Sequence, residues 1–220
     1  MAFYAVNDST VIIVNPKAGS RSMMAALEQV PHMQITAMEA LGYETRVLFH
    51  SHPIGRLNSL FNHFYRLTLN NAQYAEFLPL GTITAHGSRV KNRIGTNEHH
   101  WKGARKQEFD ASLAEERKLS LTDDDLELKL NNRDYRRFVD FILTGNRDAH
   151  WGSQVALSSH EGTLVANVVH KFEDINEHWQ TYVASPLPHL NSWPAVAHDP
   201  YKLPELRAFY ADDIALRSTL

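Results

Sequence analysis

Seven consecutive residues near the N-terminus carry groups suited to holding an anion: Pro16-Lys17-Ala18-Gly19-Ser20-Arg21-Ser22. Lys17 supplies a point charge, and Ser20 and Ser22 supply hydroxyl donors for phosphate oxygens. The four β-branched residues Val11 to Val14 read as a buried strand, and Pro16 ends it because proline has no N–H for a ladder. Met23, Met24, Ala25, Ala26, Leu27 and Glu28 then read as a helix that Ser20 or Ser22 could cap. Strand, tight loop and helix N-terminus together make an anion site. The first N–H groups of a helix have no internal partner, and the helix dipole favours negative charge there. The loop is not that of the nucleotide hydrolases, which needs two glycines five apart before Lys and Ser/Thr; Gly19 stands alone.

Two other clusters of chemically active side chains carry less. His99-His100 are adjacent, so they diverge on a strand and are poorly placed on a helix for one metal ion. Asp123-Asp124-Asp125 lacks the glycine and distal glutamate of a calcium loop. No metal is therefore expected. The chain has no cysteine, which excludes disulfides, thiolate catalysis and cysteine-ligated clusters. A net charge of −3 gives no argument for nucleic-acid binding. There is neither a signal-peptide pattern nor an apolar run near the ~20 residues of a membrane span. A reducing, cytoplasmic setting away from membranes is the expectation.

The elements that must position the loop follow from the hydrophobic pattern. Ala2–Val6 and Val11–Val14, joined by Asn7-Asp8-Ser9, read as a hairpin. The first helix runs from about 20 to 30, where Pro31 ends it, and 32–41 reads as a second helical piece stopped by Gly42. Residues 43–50 read as a strand, Ser51-His52-Pro53 as a turn, and Ile54, Leu57, Leu60, Phe61, Phe64 and Tyr65 as the apolar stripe of a helix. Residues 70–131 form a polar, glycine-punctuated insert. It is locally basic through His86, Arg89, Lys91, Arg93, Lys102, Arg105 and Lys106, either a receptor for an anionic or sugar acceptor or a solvated excursion. Tyr135, Phe138, Val139, Phe141 and Ile142 mark a further helix. Residues 163–170 read as one β-rich run, a helix starts near Asp174, and a last helix packs through Leu206, Phe209 and Tyr210. Strand–loop–helix units of this kind give a three-layer α/β sandwich around a parallel sheet, whose ligands bind at the carboxyl ends of the strands.

Several of these stretches resemble, in order, the sulfotransferase family and its carbohydrate branch. Residues 16–22 are similar to the 5′-phosphosulfate loop Pro-Lys-x-Gly-x-Thr-Ser, with Arg21 in place of Thr. Ser51-His52-Pro53 stands where the family has Arg-Asp-Pro or Arg-Asn-Pro, and Ser59 follows at the family's spacing of eight, with Arg56-Leu57 matching a common pair. Asp148-Ala149-His150-Trp151-Gly152-Ser153-Gln154 resembles Asp-x-His-Trp-x-Pro-Gln. Lys171-Phe172-Glu173-Asp174, Leu187-Pro188-His189-Leu190-Asn191 and a terminal helix ending Tyr-x-x-Asp resemble further segments of the branch. Residues 66–131 have no counterpart.

The resemblance implies a single P-loop-like domain over 1–220, using 3′-phosphoadenosine-5′-phosphosulfate (PAPS) as donor and a hydroxyl, on a glycan or another acceptor, as the group sulfated. It assigns Pro16, Lys17, Ala18, Gly19, Ser20, Arg21 and Ser22 to the 5′-phosphosulfate, and Ser51 and Ser59 to the 3′-phosphate. Lys17 would be catalytic, offsetting charge on the leaving oxygen. The family's arginine is replaced by Ser51, which cannot hold phosphate bidentately, so Arg21, Arg56 or Arg46 would have to substitute. His150 is the expected base and Trp151 the expected stacking face for a sugar, with Glu173 and His52 as alternative bases. The family's membrane anchor and disulfides have no counterpart, which fits a bacterial or viral setting. A second reading, from the same Ser51 replacement and the unmatched insert, is a sulfotransferase-fold protein that no longer catalyses and serves as a binding or assembly module.

Overall fold

The computed structural model describes residues 1–16, 18–68, 132, 135–136, 138–144, 149–189, 198 and 200–220, with the backbone alone for 63–68. The chain divides into two compact units. The first comprises Met1–Leu57, Arg147–Pro194 and Pro204–Leu220; the second comprises Asn58–Asn146 and Ala195–Leu203. Lys17, the basic segment within 86–106, His99-His100, Asp123–Asp125, residues 146–148 and Leu190-Asn191 lie outside the described residues.

The first unit is a mixed α/β structure. Among the described residues, β1 (Ala2–Ala5), β2 (Thr10–Val14), β3 (Met33–Ile35), β4 (Thr45–His50) and β7 (Val168–Lys171) form one sheet in the order β3-β1-β2-β4-β7. A two-residue pair, β5 (Ser159–His160) and β6 (Thr163–Leu164), makes a separate hairpin. The expected hairpin of β1 and β2 is present, with Phe3 opposite Ile13 and Ala5 opposite Val11. It makes the sheet mixed, not parallel as expected. The connection Asn7-Asp8-Ser9, in which the Asn7 side chain accepts from the Ser9 N–H at 2.9 Å, is far too short for the crossover that parallel strands need. The strands β2, β4 and β7 are parallel to one another.

Alternation along the strands sends neighbouring side chains to opposite faces. Tyr4, Ile12, Val14, Val47 and Phe49 pack with Met23, Ala26 and Leu27 of α1 (Ser20–Leu27) and with Ile175 and Trp179 of α5 (Ile175–Tyr182). Phe3, Ala5, Val11, Ile13 and Leu48 pack on the other face with Ala40 of α2 (Ala37–Ala40) and with Val165 and Ala166. All five residues of β2 are buried, as a central strand covered on both faces requires.

Three expectations change. Residues 32–41 are a short strand, β3, followed by α2, because Thr36 and Glu39 form a capping box that starts a new helix inside the stretch. The β-rich run 163–170 splits into β6 and β7. Asn167 leaves the ladder, accepting from the Arg46 N–H at 2.7 Å and donating to Glu44 O at 2.7 Å. The last helix is two, α6 (Leu203–Phe209) and α7 (Ala211–Ser218), hinged at buried Tyr210. Between α3 (Pro53–Thr68) and β5 lies the short α4 (Gln154–Leu157), capped by Ser153.

In the second unit, the apolar stripe of α3 continues through buried Leu60 and Phe61, and Tyr135, Phe138, Val139 and Ile142 are buried as their spacing predicts. Phe61 meets Tyr135 edge to face at 5.3 Å, and the Tyr135 hydroxyl donates to Asn58 at 2.6 Å. Burial pushes the Tyr135 phenol up to about 12.

Candidate functional site

The strands β2, β4 and β7 end side by side, at Val14, His50 and Lys171. The loop after β2 begins with Asn15, which is buried and exchanges hydrogen bonds with Ser158 Oγ at 3.0 and 3.3 Å. Ala18 is buried beneath it and donates its N–H to Asn15 O at 3.3 Å. Gly19 is the N-cap of α1, with φ of +67°, a left-handed conformation that disfavours any side chain. Ser20 and Ser22 therefore sit inside the helix and do not cap it. The ring of Phe172 covers Gly19 so closely that an added Cβ would lie 2.7 Å from its Cζ. The segment Lys171–Asp174 thus packs directly on the anion loop. Pro16, Ser20 and Ser22 are half-buried, and Arg21 is exposed.

After β4 the chain turns through Ser51 and His52 into α3. Ser51 is gripped at its backbone by one buried side chain: its N–H donates to Gln154 Oε1 at 3.1 Å, and its carbonyl accepts from Gln154 Nε2 at 2.8 Å. Its own Oγ is buried and has no hydrogen-bond partner among the described residues. His52 Nδ1 accepts from the Gly55 N–H at 3.3 Å, capping α3. Burial, then the nearby Arg217 charge, push the His52 imidazole below its ordinary value.

Arg56 lies one turn into α3 and is 3% exposed. Its guanidinium donates to Gly152 O and, at 3.5 Å, to Pro16 O of the anion loop. Burial lowers its pKa, and Tyr210 and Asp213 partly offset that. Among the described residues no carboxylate lies within ion-pair distance of it. Arg46, another expected substitute for the missing arginine, is at the opposite end of β4 from Ser51. Five strand residues put it about 16 Å away, and its Nε is already bonded to Val165 O at 2.6 Å. Ser59 belongs to the second unit and is exposed there.

The His150–Val155 segment is held from the C-terminal helices. Tyr210 donates to Trp151 O at 2.7 Å. Asp213, buried, accepts from the Gln154 N–H at 3.1 Å, the Val155 N–H at 3.0 Å and His50 Nε2 at 3.0 Å. Arg217 donates to His50 O at 3.0 Å and to Glu173 at 2.9 Å. His150 itself is exposed, whereas Trp151 is 2% exposed and belongs to the core. An indole so deeply buried presents no face to a sugar in this structure. Partial burial works against the Glu173 carboxylate, but the Arg217 hydrogen bond, its own backbone and the Arg217 charge together hold it below the ordinary value. A general base needs the opposite shift.

The structure thus brings Pro16, Ala18 and Gly19 into one neighbourhood with Arg56 and Phe172, and ties Ser51 to the Trp151–Gln154 segment. Sequence reading had not singled out His50, Gln154, Asp213 or Arg217. The Gln154 and Tyr210-x-x-Asp213 matches contained the signal, but no local pattern says what those side chains bind. Comparison with protein-family models, curated proteins and solved structures finds no match. Among the described residues, no group of three or more His, Asp and Glu could hold a metal ion, and no helix is long and apolar enough to cross a membrane.

Proposed function

We propose that this chain is a sulfotransferase of P-loop-like, three-layer α/β architecture that moves a sulfuryl group from PAPS to a hydroxyl, on a carbohydrate acceptor. One observation carries the reading. Arg56 is a buried cation whose hydrogen-bond partners among the described residues are carbonyls, beside a loop that opens helix α1. Burying a charge is costly, and an anion seated on the loop would offset that cost. The residues fit the donor in a second respect: the Ser51 Oγ, buried and without a partner among the described residues, leaves a hydroxyl for another phosphate oxygen.

The donor supplies the sulfuryl group and leaves as 3′,5′-adenosine bisphosphate. Lys17 and the loop N–H groups hold the phosphosulfate and offset charge on the oxygen that leaves as its bond to sulfur breaks. Ser51 and Arg56 serve the nucleotide side. His150 takes the acceptor's proton as the new sulfur–oxygen bond forms. His52 is the alternative base; its lowered pKa keeps it neutral near pH 7, although Nδ1 is committed to capping α3. A binding or assembly module remains the second reading, favoured by the absence of an arginine at Ser51 and by Arg46 lying at the far end of its strand.

Calorimetry with 3′,5′-adenosine bisphosphate tests the proposal. Binding by the wild type, weakened at least tenfold in Lys17→Ala as loss of a charge-assisted contact predicts, supports it. No binding at millimolar ligand overturns it. Binding without sulfate transfer to any glycan selects the module.

A further inference from the structure

Helix α7 carries Asp213 and Arg217 four residues apart, and Tyr210 lies three residues before Asp213, so the three share one side. Their polar atoms reach three stretches of chain that are distant in sequence. Tyr210 and Asp213 hold the segment Trp151–Val155; Asp213 and Arg217 hold His50 at the end of β4; Arg217 holds Glu173 just after β7. Asp213 is the centre. Its carboxylate is buried and accepts from three donors. We propose that this side of α7 is a clasp and that Asp213 is a positioning residue, setting where Ser51 stands in the candidate site.

The coupling runs through one side chain. Asp213 fixes the backbone of Gln154, and the Gln154 amide bonds both the N–H and the carbonyl of Ser51. Ser51 therefore cannot shift without moving Gln154 or breaking two hydrogen bonds. Asp213 also dictates a proton position. The same Asp213 oxygen that accepts from the Val155 N–H faces His50 Nε2 at 3.0 Å, so Nε2 presents its hydrogen there. His50 Nδ1 is buried and without a partner among the described residues. The claim that the clasp matters for donor binding rests on the proposed function; the claim that it holds the loop and the tautomer does not.

The test uses Asp213→Asn, which keeps shape but replaces one accepting oxygen by a donor. With Asn, the remaining oxygen stays on His50 Nε2 and the Val155 N–H, and the amide nitrogen faces the Gln154 N–H, which loses its acceptor. Nitrogen-15 NMR of the histidine side chains should show Nε2–H on His50 in the wild type. Hydrogen exchange at the Gln154 amide should accelerate roughly tenfold or more in the variant, the loss expected for a hydrogen bond to a charged group. Affinity for 3′,5′-adenosine bisphosphate should fall by a similar factor. Where Asp213→Asn does not fold, Tyr210→Phe removes one hydroxyl contact and should still speed exchange in the same segment. Unchanged exchange in the folded variant, or an Nδ1–H tautomer in the wild type, overturns the clasp. If the wild type fails to bind the nucleotide, the proposed function falls and the exchange and tautomer results alone decide the clasp. If the wild type binds and a folded Asp213→Asn binds equally well, the positioning role falls while the function stands.

Discussion

Replacing Gly19 by alanine probes the anion loop through two separable costs. The first is conformational: at φ of +67° an L-residue is strained by roughly 1–2 kcal/mol. The second is steric. The new methyl would stand 2.7 Å from Phe172 Cζ, so the ring must move, and such overpacking typically costs about 1–3 kcal/mol. Together they come to roughly 2–5 kcal/mol, a large part of the ~5–15 kcal/mol that stabilises a typical domain. Urea unfolding followed by tryptophan fluorescence reads the change, since Trp151 and Trp179 are both buried in the first unit. With a slope of about 2 kcal/mol per molar, the midpoint should fall by on the order of 1–2.5 M. A double-mutant cycle with Phe172→Leu isolates the steric share: the coupling between the two positions should recover ~1 kcal/mol or more, while the conformational share persists. A midpoint within ~0.3 M of wild type would refute the left-handed, ring-covered loop, and zero coupling would refute the contact with Phe172.

If His150 is the base, His150→Ala should lower turnover by ~10²–10⁴-fold with donor affinity unchanged; normal turnover in a folded variant would pass the role to His52. Acid should weaken the first unit between pH 7.5 and 5.5. Burial, then Arg217, lowers the pKa of His52, and burial, then His178, lowers that of His170, so the unfolded chain takes up protons first and stability drops as pH falls through about 6.5. The pKa of Glu173 is also lowered, but its contribution is lost only below its ordinary value of 4.5 and leaves this window clear. His52→Asn keeps a capping side chain and should flatten part of the slope; stability that is flat or rising on acidification of the wild type would contradict the lowered pKa of these two imidazoles.

The parts of the fold legible in the sequence are those written locally. The β1–β2 hairpin, the β2–loop–α1 unit and the entry of α3 at Pro53 all follow from patterns within a dozen residues. A local signal was present but outweighed at Thr36 and Glu39, where the capping box marks a helix start inside a stretch otherwise read as one helix. The rest was illegible for a physical reason. His50 and Asp213 meet at 3.0 Å across 163 residues, and nothing in either neighbourhood predicts the partner. Tyr210 carries both an apolar ring and a hydroxyl, so its helical spacing announced packing while its hydrogen bond to Trp151 stayed hidden. Trp151 shows the converse: its residue type suggests a sugar platform, and its burial assigns it to the core.

The first unit is assembled from three separate lengths of chain, and β4 pairs with β7 only across everything between them, Val47 against Val168. That order has a kinetic consequence. The β1–β2 ribbon can form as soon as its fourteen or so residues exist, whereas the β4–β7 ladder must wait for a long closure, so the sheet is expected to grow outward from its N-terminal hairpin and to complete its far edge last. The same arrangement bears on how the gene could change: a single residue added within β2 would reverse which side chains face each layer.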